Sequence, residues 1–294
     1  MVKNMPLVTI GIPAYNRAVL LKRAIESALN QDYDNIEVIV SDNASIDETE
    51  SICRHFCNMD DRLKYIRQSS NRGAKANFNE VLDKASGQFF MWLGDDDWID
   101  PNYISSCVQQ LISDPAIVLV SGSPHYYRSV EKVYGGKVFS LLHDIWWHRV
   151  ISYYRNVADN GMFYGVMPTA LIRNIEIPHT MGGDWVMLAN IISIGKAKMI
   201  SEISVHRELG GMSESFENIA SINGLPKIQA MFPYLFTACS ACSDIMSKEL
   251  KFKQLPVYTK IFVVGAVFFI VISKRRIGLF VGVFKRLKKI LNVA

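Results

Sequence analysis

The sequence predicts an α/β protein whose open, twisted sheet is covered by helices on both faces. Over roughly the first 120 of its 294 residues, short apolar runs rich in Val and Ile alternate with amphipathic segments. The runs are too short for helices and have the composition of buried strands. Polar clusters follow several of them, as is typical of the sheet edge where ligands bind. Strands that alternate with helices indicate parallel βαβ units.

Each element follows from this alternation. The predicted strands are Leu7–Ile12, Ile36–Val40, Leu63–Ile66, Gln88–Leu93 and Ile117–Val120. The predicted helices are about Val19–Leu29, Glu48–Phe56, Lys75–Lys84 and Pro101–Ile112. Asp47 is expected to cap the second helix, and Asp100-Pro101 is expected to open the fourth with a cap and a first-turn proline.

Residues 121–215 are less regular. A helix is expected near Asp144–Arg155, another at Trp185–Gly195, and a strand at Lys198–Ile203. Trp146, Trp147 and His148 could line an acceptor pocket, but packed core aromatics are the preferred interpretation.

The bulk composition excludes several classes of protein. A hydrophobic content of 49% with 20% charged residues is that of a folded chain, not of a disordered or repetitive one. Five cysteines without a secretory signal indicate a reducing compartment. Cys239 and Cys242 could be half of a zinc site, but incidental thiols are preferred because no second half has suitable spacing.

The charges are distributed unevenly. Ten of the 32 basic residues lie between Lys251 and Ala294, where there is no Asp or Glu. The remainder has 22 basic and 28 acidic residues, a net charge of −6, which argues against nucleic-acid binding by the body of the protein. The basic tail instead predicts one localised anionic partner.

The tail combines this charge with apolar residues. Ile261–Ile272 is a run of twelve uncharged residues, too short to cross a bilayer as a helix. In Ile277–Leu291, apolar residues fall on one helical face and basic residues elsewhere, as in a helix lying on an anionic leaflet. Peripheral membrane binding is preferred over a helical hairpin entering the bilayer or a basic helix docked on the body.

Asp95-Asp96-Asp97 is the most informative motif, because three adjacent carboxylates repel one another unless a cation lies among them. A divalent metal that carries a phosphorylated ligand would be such a cation, and a solvated acidic turn is the alternative. Together with Asp42 and Tyr15 at neighbouring strand ends, a metal here would suit a nucleotide diphosphate. A base would also be required, and Asp184 is a candidate, although an Asp before a helix is more often its N-cap.

Four segments resemble family 2 glycosyltransferases with the GT-A fold. They are Val8–Asn16, Glu37–Thr49, Asn71-Arg72-Gly73 and Leu93–Pro101. The resemblance is strong over about residues 6–115 and weaker to about residue 215. It implies a nucleotide-sugar-binding half over residues 1–120 and an acceptor-binding half over 121–215. A helical connector (216–254) and the membrane-associating tail predicted from its charge and apolar pattern (255–294) follow.

The resemblance also implies roles for individual residues. Pro13, Ala14, Tyr15 and Asp42 would bind the nucleotide, with Arg72 near the base. The family's Asp-x-Asp motif begins here with Gly94, a departure that leaves Asp95 for ribose or metal and Asp96 for Mn²⁺ or Mg²⁺. Asp184 falls at the position of the general base.

The same resemblance implies the reaction and its location. It implies inverting transfer of a sugar from a nucleotide-diphosphate sugar to a polyprenyl-diphosphate-linked saccharide, in bacterial surface-polysaccharide synthesis at the cytoplasmic face of the inner membrane. The loop His206–Ser213 is expected to close over the diphosphate. Alternatives are a catalytically inactive assembly partner, suggested by Gly94, and a nucleotidyltransferase, disfavoured because the loop after the first strand lacks glycines.

Overall fold

The main sheet of the computed structural model has five strands in the order β3-β2-β1-β4-β8. The structure describes residues 5–129, 131–210, 215–247 and 256–291, the last segment with side chains as far as Lys274. The strands are β1 (Val8–Ala14), β2 (Ile36–Asp42), β3 (Leu63–Arg67), β4 (Phe89–Trp92) and β8 (Met167–Pro168). The first four are parallel, as predicted, and β8 is antiparallel to β4.

Both faces of this sheet are covered. Val38 and Val40 of β2 belong to one apolar cluster with α1 (Ala18–Leu29) and α4 (Tyr103–Ser113), whereas Ile39 belongs to another with α3 (Ala74–Asp83). Burial on two faces explains why the strands are continuous apolar runs and not alternating ones. The remaining helix of this half is α2 (Thr49–Met59).

A second sheet has the strand order β5-β9-β6-β7. Its strands are β5 (Trp98–Ile99), β6 (Ile117–Arg128), β7 (Glu131–Gly135) and β9 (Lys196–Glu208). Strands β6 and β9 pair in parallel along most of their length. Both extend well beyond the predicted ends Val120 and Ile203, because their second halves are polar and do not have the apolar signature of a buried strand.

The rest of the chain is mainly helical. The helices are α5 (Trp146–Asn156), a 3₁₀ turn (Gly161–Tyr164), α6 (Thr169–Ile172), α7 (Gly183–Ile194), α8 (Phe216–Ile222), α9 (Lys227–Met231), α10 (Pro233–Ser247) and α11 (Val257–Leu291). Trp146 and Trp147 pack against the apolar core, which confirms the preferred interpretation for these two residues. The five cysteines are free thiols.

The two predicted helix starts are wrong in detail. The N-cap of α2 is Glu48, and Asp47 acts from one residue earlier, with Oδ1 accepting a hydrogen bond from the Thr49 backbone at 3.1 Å. Helix α4 begins at Tyr103, because the carboxylate of Asp100 is engaged elsewhere. It accepts from the Ser204 backbone at 2.7 Å and lies 2.7 Å from Nε2 of His206.

Helix α11 docks on the body along one face. Val263, Val267 and Val271 are fully buried in the cluster that also contains residues of α5, α7 and α10. The opposite face leaves Tyr258 76% and Phe269 73% exposed. The side chains of residues 275–291, on which the basic amphipathic pattern was predicted, and residues 248–255 lie outside the described residues.

The helix is longer than the apolar run that the sequence analysis counted. The residues on either side of the run are also helical. The apolar segment therefore extends over Val257–Lys274, which is 18 residues long and has a mean hydropathy of 1.9. By length and composition alone it could cross a membrane, so the expectation that it is too short is corrected.

Candidate active site

A cavity of about 650 Å³ opens at the carboxyl edge of the main sheet. The predicted convergence of the strand-end clusters is confirmed, since the Tyr15 backbone donates to Oδ2 of Asp95 at 3.1 Å and the Asn43 backbone donates to the Ala14 carbonyl at 3.0 Å. The charged and amide side chains that line the cavity include Arg17, Asp95, Asp96, Asp97, Asn160, Asp184 and Arg207.

Asp95 and Asp96 share one cationic partner. Nη1 of Arg17 lies 3.4 Å from Oδ1 of Asp95 and also pairs with Oδ2 of Asp96. Burial, followed by the charge of Asp96, raises the pKa of Asp95 to about 7. The guanidinium therefore offsets part of the repulsion between these adjacent carboxylates.

Asp97 has a different environment and ties the motif to β9. It is 2% exposed, accepts from the Glu208 backbone at 2.9 Å through Oδ1, and accepts from the Tyr164 hydroxyl through Oδ2. Burial and the charge of Asp96 raise the pKa of Asp97 to about 6. With both oxygens engaged, Asp97 links β9 to the 3₁₀ turn Gly161–Tyr164 at the wall of the cavity.

The first two carboxylates fit a divalent cation. Oxygens from Asp95 and Asp96 already converge on a single positive nitrogen, and carboxylate oxygens are the ligands that Mg²⁺ and Mn²⁺ prefer. Among the residues that the structure describes, no group of three His, Cys, Asp or Glu side chains could hold a metal by itself. Further ligands would have to come from substrate phosphates or water.

Gly94 is the position at which the resemblance predicts the first Asp of the motif, and the space around it favours a small residue. A Cβ at this position would lie 2.8 Å from Oδ2 of Asp97 and 3.0 Å from Oδ1 of Asp96. Any side chain would therefore displace the neighbouring carboxylates.

The predicted nucleotide-binding residues are only partly brought to the cavity. Pro13 and Asp95 line it, whereas Ala14, Tyr15, Asp42 and Arg72 do not. Asp42 is fully buried; Oδ1 accepts from the Ser45 backbone at 2.8 Å and Oδ2 accepts from the Tyr65 hydroxyl at 2.7 Å.

Ala14 is also buried, whereas Arg72 and Tyr15 have exposed side chains. The side chain of Arg72 pairs with Glu80 at 3.3 Å, and Tyr15 is 39% exposed next to Asp95. Of the predicted closing loop, Gly211, Met212 and Ser213 lie outside the described residues.

Asp184 is held at the start of α7. It is the second residue of that helix and not its cap, since the N-cap is Gly182 with a positive φ of 70°. A Cβ on Gly182 would clash with Thr237, so the glycine lets the turn pack closely. Oδ2 of Asp184 accepts a hydrogen bond from Nδ2 of Asn160 at 2.5 Å. Burial raises the pKa of Asp184, and the hydrogen bond from Asn160 opposes that rise.

Two cavity residues, Arg17 and Asn160, were assigned no role from the sequence, and Arg207 was included only as part of the predicted closing loop. Arg17 directly follows the first quoted segment, but only the fold shows its contact with residues about 80 positions away. Arg207 donates from Nη1 to the Tyr126 hydroxyl and to the Asp159 carbonyl, both at 2.9 Å. Asn160 follows an Asp and precedes a Gly, a typical turn signal, and this was the one local pattern that could have marked it.

A sequence model described as "Glycosyl transferase family 2" matches residues 9–176. This chain belongs to glycosyl transferase family 2. The predicted family is therefore confirmed, and with it the prediction that the chain is a glycosyltransferase.

Two similar proteins come from bacteria. The chain is 41% identical over 134 residues to the GalNAc(5)-diNAcBac-PP-undecaprenol beta-1,3-glucosyltransferase of Campylobacter jejuni, covering 45% of this chain and 43% of that protein. It is 32% identical over 176 residues to glycosyltransferase GlyA of Streptococcus pneumoniae, covering 60% of this chain and 24% of that protein. The chain thus spans less than half the length of these relatives.

Solved structures support the fold. TarS 1–349 of S. aureus in complex with UDP-GlcNAc superposes with a TM-score of 0.64 at 17% identity, covering 87% of this chain and 70% of that one. The mannosyltransferase PcManGT of Pyrobaculum calidifontis, in complex with GDP-Man and Mn²⁺, has a TM-score of 0.55 at 16% identity. The match covers 92% of this chain and 87% of that one. The predicted GT-A fold class is confirmed.

Proposed function

We propose that this chain transfers a sugar from a nucleotide-diphosphate sugar to a hydroxyl of a lipid-linked saccharide, with inversion at the anomeric carbon. The observation that carries the proposal is that one cavity contains both the Asp95-Asp96 pair and the carboxylate of Asp184. The first can hold a cation and a diphosphate, and the second can take a proton. Direct displacement needs these two functions at one site.

The donor would bind at the carboxyl edge of the main sheet. Asp95 and Asp96 would hold Mn²⁺ or Mg²⁺, which neutralises the charge of a diphosphate leaving group when bound. The nucleoside would lie against Pro13, Ala14 and Tyr15, with Arg72 near the base.

Asp42 would support this site from within the fold. Its carboxylate holds the Ser45 backbone, and Oγ of Ser45 accepts from the Asn16 backbone at 2.9 Å. The loops after β1 and β2 are thereby linked. This indirect role replaces the direct contact with base or ribose that the sequence suggested.

Asp184 would act as the general base. A carboxylate whose pKa is raised by burial is better matched to a hydroxyl proton than an exposed one is. As the acceptor oxygen forms its bond to the anomeric carbon, the bond from that carbon to the diphosphate oxygen breaks. The hydroxyl proton passes to Asp184, and the nucleoside diphosphate leaves with the electron pair.

The acceptor would be a saccharide on a polyprenyl diphosphate in bacterial surface-polysaccharide synthesis. The C. jejuni relative is named for a PP-undecaprenol-linked saccharide. Helix α11 presents exposed apolar residues, and the segment from Lys251 onwards is rich in basic residues. These features support peripheral attachment to an anionic membrane surface at the cytoplasmic face, with residues 1–215 as the catalytic part, 216–254 as a connector and 255–294 as the attached tail.

A donor screen tests the proposal. Purified protein would be incubated with a panel of nucleotide-diphosphate sugars and Mn²⁺, with short polyprenyl-diphosphate saccharides as acceptors, and release of nucleoside diphosphate would be measured. We expect release from one donor, its loss with a metal chelator, and a product of inverted anomeric configuration by NMR. Release that is unaffected by chelation would contradict the proposed metal dependence. A product of retained anomeric configuration would contradict direct displacement.

A further inference from the structure

Asn160 occupies an unusual position beside Asp184. It has left-handed backbone angles, φ 53° and ψ 37°, and it is 7% exposed at the start of the 3₁₀ turn. Such angles are uncommon for residues other than glycine, and Asn tolerates them better than most. The buried amide is therefore placed by a backbone conformation that few side chains adopt.

Both ends of this amide are engaged. The hydroxyl of Tyr153, a fully buried residue of α5, donates to Oδ1 at 3.0 Å. Nδ2 donates to Oδ2 of Asp184 at 2.5 Å. Because burial raises the pKa of Tyr153 well above its usual value, the phenol keeps its proton and remains a donor. Tyr153 thus fixes which end of the amide faces the carboxylate.

We propose that Asn160 is a positioning residue for the general base: its amide, oriented by Tyr153, holds Oδ2 of Asp184 and fixes the orientation of the carboxylate toward the acceptor hydroxyl. The inference rests on the proposed function of Asp184. The sequence separation of 24 residues between the two side chains, bridged by a hydrogen bond, is a tertiary arrangement that local helix capping does not require.

The surroundings of Asp184 define what the amide contributes. The charged and titratable groups that interact with it are Arg207 on β9 and Tyr153 and Tyr154 on α5, and the backbones of Trp185 and Asp184 also donate hydrogen bonds to it. On α11, Lys274 contacts the next residue, with Nζ 5.7 Å from the ring of Trp185. Burial raises the pKa of Asp184 and the Asn160 hydrogen bond lowers it. Removing the amide should therefore raise the pKa further.

The test is the pH dependence of kcat/KM for transfer. Asn160→Gly keeps the left-handed backbone but lacks the amide, and Asn160→Asp keeps the shape but places a second carboxylate against the base. We expect the acid limb to move to higher pH by about half a unit or more in Asn160→Gly and further in Asn160→Asp. Tyr153→Phe should shift it less, in the same direction. Asn156→Ala, which removes another amide near the end of α5, is the matched control and should leave the limb in place.

The outcomes separate this inference from the function on which it rests. Equal loss of activity at all pH values in Asn160→Gly, with an unmoved acid limb, would show a merely structural role and overturn the inference alone. A wild-type protein without transfer activity, or an Asp184→Asn variant that keeps both turnover and the acid limb, would overturn the base and the inference together. Should Asn160→Gly fail to fold by circular dichroism, the Tyr153→Phe limb decides, and its coincidence with wild type would count against the proposal.

Discussion

Nη1 of Arg17 lies 3.4 Å from Oδ1 of Asp95, and the same nitrogen also pairs with Asp96. The chain therefore supplies its own cation at the place where a divalent metal is proposed to bind. A metal and the guanidinium would compete for the same carboxylate oxygens, so metal entry requires Arg17 to turn away.

Arg17→Gln should tighten the binding of Mn²⁺ in the absence of nucleotide. The gain should be about threefold to tenfold, because a partly buried ion pair no longer competes with the metal. Titration calorimetry with Mn²⁺ alone measures it, with Arg54→Gln, an exposed arginine on α2, as the control. Weaker Mn²⁺ binding in Arg17→Gln would contradict competition.

Asp96→Ala should abolish the metal-dependent part of nucleoside-diphosphate binding. The affinity measured with Mn²⁺ should fall at least about tenfold and become equal to that measured with a chelator, since one of two protein ligands is lost. Asp61→Ala, an exposed position after α2, serves as the control. Unchanged calorimetric affinity would rule out Asp96 as a metal ligand.

Asp184→Asn should preserve donor binding and lose transfer. The amide has nearly the same shape as the carboxylate but does not accept the acceptor's proton, so kcat should fall by about 10²–10⁴-fold. Dissociation constants for the donor should agree with wild type within error. Near-normal turnover would show that Asp184 is not the general base.

Membrane attachment is better tested on the exposed face of α11 than by deletion. Truncation after Gln254 would uncover the core residues that Val263, Val267 and Val271 cover, and would confuse detachment with unfolding. Phe262→Asp with Phe269→Asp should instead reduce co-sedimentation with anionic vesicles, while Ile112→Asp on α4, 53% exposed, should not. Equal sedimentation of all three proteins would refute attachment through this face.

Acid should destabilise the fold through Glu37. Burial would raise the pKa of this carboxyl, but hydrogen bonds from Lys64, Thr9 and Ser86 outweigh it and lower the pKa from 4.5 to about 2. This stability is complete above the unfolded pKa and is lost as the pH falls through about 2, a change of about 3 kcal/mol.

Denaturant unfolding between pH 6 and pH 2 measures that loss. Glu37→Gln should show a flatter dependence, since an amide does not titrate, whereas Glu26→Gln, an exposed residue of α1, should follow wild type. Parallel curves for Glu37→Gln and wild type would contradict this assignment.

The sequence predicted the main sheet well because β1, β2 and β4 are apolar on both faces, so each has a local signature that needs no partner. It underestimated β6 and β9 because their second halves serve the cavity and carry polar residues such as His125 and Arg207. Periodicity records burial, and it weakens where a strand faces a ligand site.

The part of the candidate site that lies in recognisable sequence motifs was predicted. The Asp triplet and Asp184 follow a strand or precede a helix and can be recognised by position. The contacts of Arg17 and Asn160 span 78 and 24 residues, and even the turn signal around Asn160 does not encode its partner. Asp100 shows the converse, since a good capping residue was recruited by His206 instead.

The valine seam of α11 has a geometric consequence. Val263, Val267 and Val271 join the apolar cluster that also holds α7, the helix on which Asp184 stands. Anything that touches the outer face of α11 is therefore held at a constant spacing from that carboxylate by packed side chains. If the outer face of α11 lies on a bilayer, the packed protein would hold Asp184 at a fixed distance from that bilayer. A lipid-linked saccharide would reach Asp184 only when its length matches that distance. Shorter or longer saccharides would be excluded without any pocket that recognises them.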